Sequence, residues 1–304
     1  FGFLGTSDVD PWLAFFVLLG FFLGFLALTT WVFKRGKGLK HSRAVHWKRR
    51  IMQPPLLFSL VVPRDTKENY IEETLASAFA IDYPEFEIVF CVADANDPII
   101  PVIEALMAAH PAVPARLLTG DDRISINPKL NNLVKGWRVA RHDWVVMADS
   151  NVLIPPNYID ELLARWTDDV GLVCSPPVGI RPSGVGAEME CAFLNSYQAR
   201  WQLAADAFGI GFAQGKTMLW RRADLDKAGG IAALASEPAE DAASTKIVHA
   251  AGHRVRLVRD PFPQPLGHRP IGEIWKRQLR WARLRRATFP PLYALELVSG
   301  GFLP

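Results

Sequence analysis

The order of apolar and polar positions divides the chain into a membrane-like beginning, an alternating middle and a basic end. Residues 11–33, PWLAFFVLLGFFLGFLALTTWVF, form an uncharged run of 23 positions, and a spanning helix needs roughly 20. Trp12 and Trp31 stand near its two ends, where indole rings favour the interface. The run predicts a transmembrane helix. A buried core helix of this length would show a polar face, and a cleaved signal peptide would be led by basic residues where Asp8 and Asp10 stand.

From about residue 56, short apolar runs alternate with helical stretches. LFSLVV (57–62), FEIVFCVA (86–93), ARLL (115–118), DWVVMA (143–148) and VGLVCS (170–175) read as strands. Residues 67–80, 98–109, 128–140 and 156–166 read as helices. This alternation predicts an α/β fold with a mostly parallel sheet and helices on both faces. Residues 186–208 read as a further helix. Its Met189, Phe193, Tyr197 and Trp201 are spaced by fours and suit either core or the border of a lipid entry. Between residues 274 and 292, Lys276, Arg277, Arg280, Arg283, Arg285 and Arg286 interleave with Trp275, Leu279, Trp281, Leu284 and Phe289. That mixture predicts a helix lying along a membrane surface.

The net charge of +3 hides an uneven distribution. Lys34, Arg35, Lys37, Lys40, Arg43, Lys48, Arg49 and Arg50 follow the apolar run with no acid among them. By the positive-inside rule the chain after residue 33 is cytoplasmic, on an inner bacterial or Golgi-type membrane. The expected layout is a non-cytoplasmic terminus (1–10), the transmembrane helix (11–33), a basic juxtamembrane segment (34–55), one catalytic domain (56–270) and the interfacial helix (271–289). Residues 290–304 are expected to open a further membrane region. Cys91, Cys174 and Cys191 form no CxxC pair, which argues against a disulfide framework or a thiolate zinc site.

Open parallel sheets bind ligands at the carboxyl ends of their strands. Asp94 follows FEIVFCVA, and Asp149 follows DWVVMA. One such acid alone is more readily a helix cap or turn former; two at matching positions shift the balance toward a ligand site. No GxGxxG follows the first strand and no GxxxxGK[ST] occurs, which disfavours dinucleotide enzymes and P-loop NTPases. A diphosphate would then need another counter-charge, such as magnesium or manganese held by carboxylates. Glu240 and Asp241 open a predicted helix in SEPAEDAASTKIVHAAG (236–252). They suit stabilisation of a helix N-terminus and a general base for transfer to an alcohol equally well.

Asp94, Asp149, Asp241 and Arg277-Gln-Leu-Arg-Trp281 stand in the order of the D, D, D, (Q/R)xxRW signature of inverting glycosyltransferases. DYPEFEIVFCVADANDP (82–98), INPKLNNL (126–133), VGLVCSPP (170–177), LDKAGGIAA (225–233) and AEDAASTK (239–246) narrow the match. Over residues 57–290 the chain resembles the ceramide glucosyltransferase family, family 21, related to family 2. The resemblance implies a GT-A fold, a UDP-sugar donor such as UDP-glucose, a ceramide or similar lipid acceptor at the bilayer, and inversion at the anomeric carbon. It implies that Asp94 contacts the nucleotide, Asp149 holds metal and diphosphate, and Asp241 is the base. Lys129 and Asn132 would line the donor side, and Arg277, Arg280 and Trp281 would close over diphosphate and acceptor. The run Asp149-Ser-Asn151 lacks the second carboxylate of a DxD metal site. Diacylglycerol or a hopanoid as acceptor, and an inactive membrane-tethered scaffold, are the alternatives. No nucleic-acid partner is expected, and the oligomeric state is not legible.

Overall fold

Period-two alternation along the central strands sends two apolar sets to opposite faces of one sheet. The computed structural model describes residues 54–62, 68–291, 293 and 294. Its strands are β1 (Leu56–Val62), β2 (Phe86–Val92), β3 (Ala115–Thr119), β4 (Trp144–Asp149), β5 (Val170–Cys174), β6 (Val178–Ser183), β7 (Thr217–Arg221), β8 (Arg254–Leu257) and β9 (Pro263–His268). Seven of them form one sheet in the order β3-β2-β1-β4-β7-β5-β8, and β6 pairs with β9 apart from it. All pairings are parallel except those of β7, which runs antiparallel to β4 and β5.

On one face, Leu56, Phe58, Ile88, Phe90, Val146 and Ala148 pack with Leu75 of helix α1 (Ile71–Ser77), Ile103 of α2 (Ile100–Ala109) and Ile159 of α4 (Tyr158–Leu163). On the other, Leu57, Val89, Cys91, Val145 and Met147 pack with Leu133 of α3 (Pro128–Val139) and Val248 of α8 (Glu240–Ala250). The expected mostly parallel sheet with both faces covered is therefore present. The remaining helices are α5 (Val185–Ala192), α6 (Ala199–Ala207), α7 (Arg222–Lys227) and α9 (Ile271–Thr288).

The five predicted strands are all found, and four more were not predicted. Strand β8, RVRL, alternates with charges, and β9, PQPLGH, carries two prolines that read as loop. The predicted helix 186–208 is helical as far as Ala207, but a π-helical turn over Phe193–Gln198 separates α5 from α6. Met189 and Trp201 of its aromatic stripe are exposed, while Phe193 stacks on Tyr197 with ring centroids 5.1 Å apart. The three cysteines are free thiols.

The chain divides into two units, Phe1–Met52 and Gln53–Pro304, and all described residues belong to the second. The predicted transmembrane helix at 11–33, nearly all of the basic stretch 34–55 and residues 295–304 lie outside the described residues. Among the described residues no helix is long and apolar enough to cross a membrane.

Candidate active site

Four elements bring charged side chains to one place at the carboxyl edge of the sheet. Asp149 is the last residue of β4. Helix α3 opens at Asn127-Pro128, a capping residue followed by proline at the first helical position. The Asn127 side chain accepts the backbone N–H groups of Lys129 and Leu130. This start places Lys129 in the first turn, beside the end of β4. Helix α8 begins with Glu240 and Asp241, and the loop before β7 supplies Gly215 and Lys216.

Lys129 Nζ lies 2.8 Å from Asp149 Oδ1 and 2.7 Å from Glu240 Oε1, and it donates to the Gly215 carbonyl. Lys216 Nζ lies 2.9 Å from Asp149 Oδ2 and donates to Asn151 Oδ1 at 2.9 Å. The Asn151 amide donates in turn to Glu68 Oε2 at 2.8 Å. Asn127 Nδ2 donates to Glu240 Oε2 at 2.6 Å. A Cβ at Gly215 would come within 2.7 Å of Glu240 Oε1 and 3.1 Å of Lys129 Nζ, so a side chain there would push on that ion pair.

The three acids differ in what binds them. Burial would raise the Asp149 pKa, but the ammonium groups of Lys129 and Lys216 outweigh it and hold the carboxyl at about 2. Burial alone would lower the Lys129 pKa, yet Asp149 and Glu240 raise it and keep the ammonium charged. Glu240 has both oxygens engaged, by Lys129 and Asn127. Asp241 accepts only backbone N–H groups in the described contacts, from Ala242 at 2.8 Å and Gly215 at 3.3 Å. Burial and then the neighbouring Glu240 push its pKa up to about 6. Asp241 is thus the carboxylate with proton affinity raised towards neutral pH and with weakly held oxygens.

The other sequence-predicted residues lie around this cluster. Asp94 is two residues beyond β2, at the same carboxyl edge as Asp149 because β1, β2 and β4 are parallel. Strand β1 intervenes, so the two strand ends are two strand spacings apart, roughly 10 Å. Asp94 Oδ1 accepts the Asn96 N–H at 2.9 Å. Asn132, one turn along α3 from Lys129, donates to the Cys91 carbonyl at 2.7 Å. With it, the buried Lys135 donates to the Val92 carbonyl at 3.0 Å and to the Gly120 carbonyl. Asn132 and Lys135 thereby tie α3 to the ends of β2 and β3, beneath the loop that carries Asp94.

Arg277 reaches Glu190 of α5 and not the acid cluster, with Nη1 2.5 Å from Glu190 Oε1. Arg269 Nη1 lies 2.8 Å from the other oxygen of this fully buried carboxylate. Arg280 is exposed and Trp281 half-buried on α9. Sequence reasoning missed Lys216, Lys135, Asn127, Glu68 and the Glu190 bridge. Asn127-Pro128 was the legible signal, since it announces a helix start that aims the next side chain at the site. Lys216 had none, because its strand was not predicted.

A divalent cation takes oxygen ligands, and magnesium commonly uses one or two carboxylates with substrate phosphates and water. Among the described residues no three His, Cys, Asp or Glu side chains gather to hold a metal. Asp149 Oδ2 and Asn151 Oδ1 do converge on one positive charge, the Lys216 ammonium. They fit a cation that shares its remaining ligands with a phosphate-bearing substrate.

Among curated proteins, ceramide glucosyltransferase 3 of Caenorhabditis elegans is 24% identical over 246 residues, covering 80% of this chain and 54% of that protein. The ceramide glucosyltransferase of Komagataella phaffii is 29% identical over 300 residues, covering 79% of this chain and 59% of that protein. The chain thus spans somewhat more than half the length of these relatives. Among solved structures, the mannosyltransferase PcManGT from Pyrobaculum calidifontis in complex with GDP-Man and Mn2+ superposes with a TM-score of 0.58 at 19% identity, over 82% of this chain and 70% of that one. That likeness shows the fold, the mostly parallel sheet of GT-A glycosyltransferases. The family model described as glycosyl transferase family 21 matches residues 15–304, and the chain belongs to that family.

Proposed function

We propose that this chain transfers glucose, or a closely related hexose, from a UDP-sugar to the primary hydroxyl of ceramide or a similar membrane lipid, with inversion, at the cytoplasmic face of a bilayer. The carrying observation is the meeting of Asp149, Lys129 and Asp241 around Gly215 at the sheet's carboxyl edge. The ceramide glucosyltransferases among its relatives support the donor and acceptor classes.

Asp241 is the general base. It accepts the hydroxyl proton as the acceptor oxygen attacks the anomeric carbon, and the bond to UDP breaks on the opposite side. One base suffices for such a single displacement, in contrast to the paired carboxyl groups of a glycosidase. A pKa of about 6 leaves Asp241 mostly ionised at neutral pH yet more basic than an ordinary carboxylate. Glu240 is less suited, because Lys129 and Asn127 already hold its oxygens.

Asp94 would stand on the nucleotide side, with Asn132 supporting its loop from beneath through the Cys91 carbonyl, and Lys129 would stand beside the diphosphate. Asp149 with the Asn151 amide oxygen would hold a magnesium or manganese ion, which when bound supplies positive charge at the diphosphate. Arg280 and Trp281 stand on the helix that would close over the donor, and Arg277 anchors that helix through Glu190. Groups aimed at the leaving diphosphate stabilise the transition state more than the ground state, because negative charge grows there.

The bilayer supplies the acceptor. Ile271, Trp275 and Leu279 are exposed along α9 at spacings of four, beside the exposed Lys276, Arg280 and Arg283. Val185 and Met189 of α5, which packs on α9, are exposed as well. Apolar and basic stripes side by side suit an anionic membrane surface.

The test is mass spectrometry of products, with proton NMR for the anomeric linkage, from the purified chain in nanodiscs given a lipid extract and several UDP-sugars. A β-linked hexosylceramide with stoichiometric UDP is expected. An α-linked product, or no UDP with any donor and lipid, would refute the reading.

A further inference from the structure

The Lys216 ammonium lies between Asp149 Oδ2 and Asn151 Oδ1, each 2.9 Å away. These are the two oxygens best placed to receive a divalent ion. Asp149 Oδ1 is taken by Lys129, which Glu240 and the Gly215 carbonyl also hold. Lys129 is therefore locked by three acceptors on three elements. Lys216 has two acceptors, both on the segment that ends β4, and it sits on a loop before a strand. Of the two lysines, Lys216 is the one that can leave.

We infer that Lys216 is an exchangeable counter-ion: its ammonium must yield Asp149 and Asn151 to a divalent cation, and it then serves the donor's diphosphate. The inference rests on the proposed sugar-nucleotide reading for its second half only. A lysine is suited to this exchange, being a compact charge with three donors on a flexible four-carbon stem. The exchange also follows from charge. Two ammonium groups face the carboxylates of Asp149, Glu240 and Asp241, with Glu68 beyond Asn151. A cation entering alone gains Asp149 but costs the Lys216 ammonium its ion pair with that carboxylate. A cation entering with a diphosphate gives that ammonium a new partner. Metal and nucleotide therefore bind cooperatively, and Lys216 is the residue that couples them.

The test uses the full chain in detergent, with K216M and K216Q removing the charge and K216R keeping it. Mn2+ binding is read by electron paramagnetic resonance without nucleotide, and UDP binding by calorimetry at saturating Mn2+. Removing the competing ammonium should tighten Mn2+ binding without nucleotide by about tenfold or more, the worth of one charge-assisted hydrogen bond. The same variants should bind UDP several-fold more weakly in Mn2+, and K216R, which keeps the charge on a bulkier head, should shift less than they do in both. Opposite signs from one substitution are the signature. A structural lysine would weaken both affinities on removal, and that result overturns the inference. So does neutral-variant Mn2+ binding no tighter than wild type. If the wild type binds no UDP at all, the sugar-nucleotide reading fails, while the nucleotide-free Mn2+ comparison still decides whether Lys216 competes with the cation.

Discussion

Replacing Asp241 with asparagine separates catalysis from stability, because the two should move in opposite directions. The amide matches the carboxylate in shape, and its oxygen can still accept the Ala242 N–H now bonded at 2.8 Å, at the loss of the longer 3.3 Å bond from the Gly215 N–H. Loss of a general base typically costs about 10²- to 10⁴-fold in rate. Folding responds the other way. Burial and Glu240 raise the carboxyl from 3.8 to about 6, so keeping it ionised at pH 7 destabilises the fold by roughly 3 kcal/mol at most. For a raised pKa, the favourable contribution is present below pH 3.8 and is lost as pH rises through about 6. D241N removes that penalty, and a gain of about 1–3 kcal/mol corresponds to several degrees in Tm for a domain of this size. The gain should shrink at pH 5, where wild-type Asp241 is already largely protonated. The assays are UDP release at saturating donor and acceptor, and thermal melts at pH 7.5 and 5. Wild-type kcat/KM, read at subsaturating acceptor and donor, should fall below a midpoint near pH 6, the ionisation of Asp241 in the free enzyme. Turnover of D241N within threefold of wild type would refute the base assignment. A lower Tm at pH 7.5 would refute the electrostatic argument.

Two further substitutions probe the supports of the site. K129M leaves Asp149 and Glu240 without their shared cation, which should cost about 3–5 kcal/mol; a melting curve within 2 °C of wild type would contradict it. E190Q removes the charge that holds Arg269 and Arg277 on one buried carboxylate. It should destabilise by on the order of 3 kcal/mol and expose α9 to early tryptic cleavage, and an unchanged digestion pattern would count against Glu190 as the anchor.

How far the site was legible depended on how local each signal was. Asp94 and Asp149 could be placed because both follow uninterrupted apolar runs, and a strand's end is set by its own residues. Asp241 could be placed at a helix start, but nothing local told it from Glu240. That distinction comes from Lys129 and Asn127, more than a hundred positions earlier, which occupy one acid and spare the other. The parallel half of the sheet was legible for the same reason as the acids. Strands β8 and β9 were not, because charges and prolines are tolerated there by pairing with β5 and β6, partners that local pattern does not reveal. Arg277 was read with Arg280 and Trp281 as one motif. The fold separates them: Arg277 turns inward to Glu190 and Arg280 outward to solvent.

On the proposed reading, the raised pKa of Asp241 and the need to hold a diphosphate pull the site's charge in opposite directions. A base of this strength depends on burial and on Glu240 beside it, with Lys129 opposing both. Adding fixed lysines until the pocket attracted a diphosphate unaided would lower that pKa and weaken the base. Two ammonium groups against the carboxylates of Asp149, Glu240 and Asp241 leave the site net negative when Asp241 is ionised, before Glu68 beyond Asn151 is added. Additional positive charge therefore has to arrive with the donor, from a cation at Asp149 or from the guanidinium groups of α9. It is then present when the leaving group forms and absent from the resting electrostatics that tune the base. On the proposed reading, a site built this way would keep its base ready at neutral pH, and it would have reason to carry Lys216 as a charge that can move.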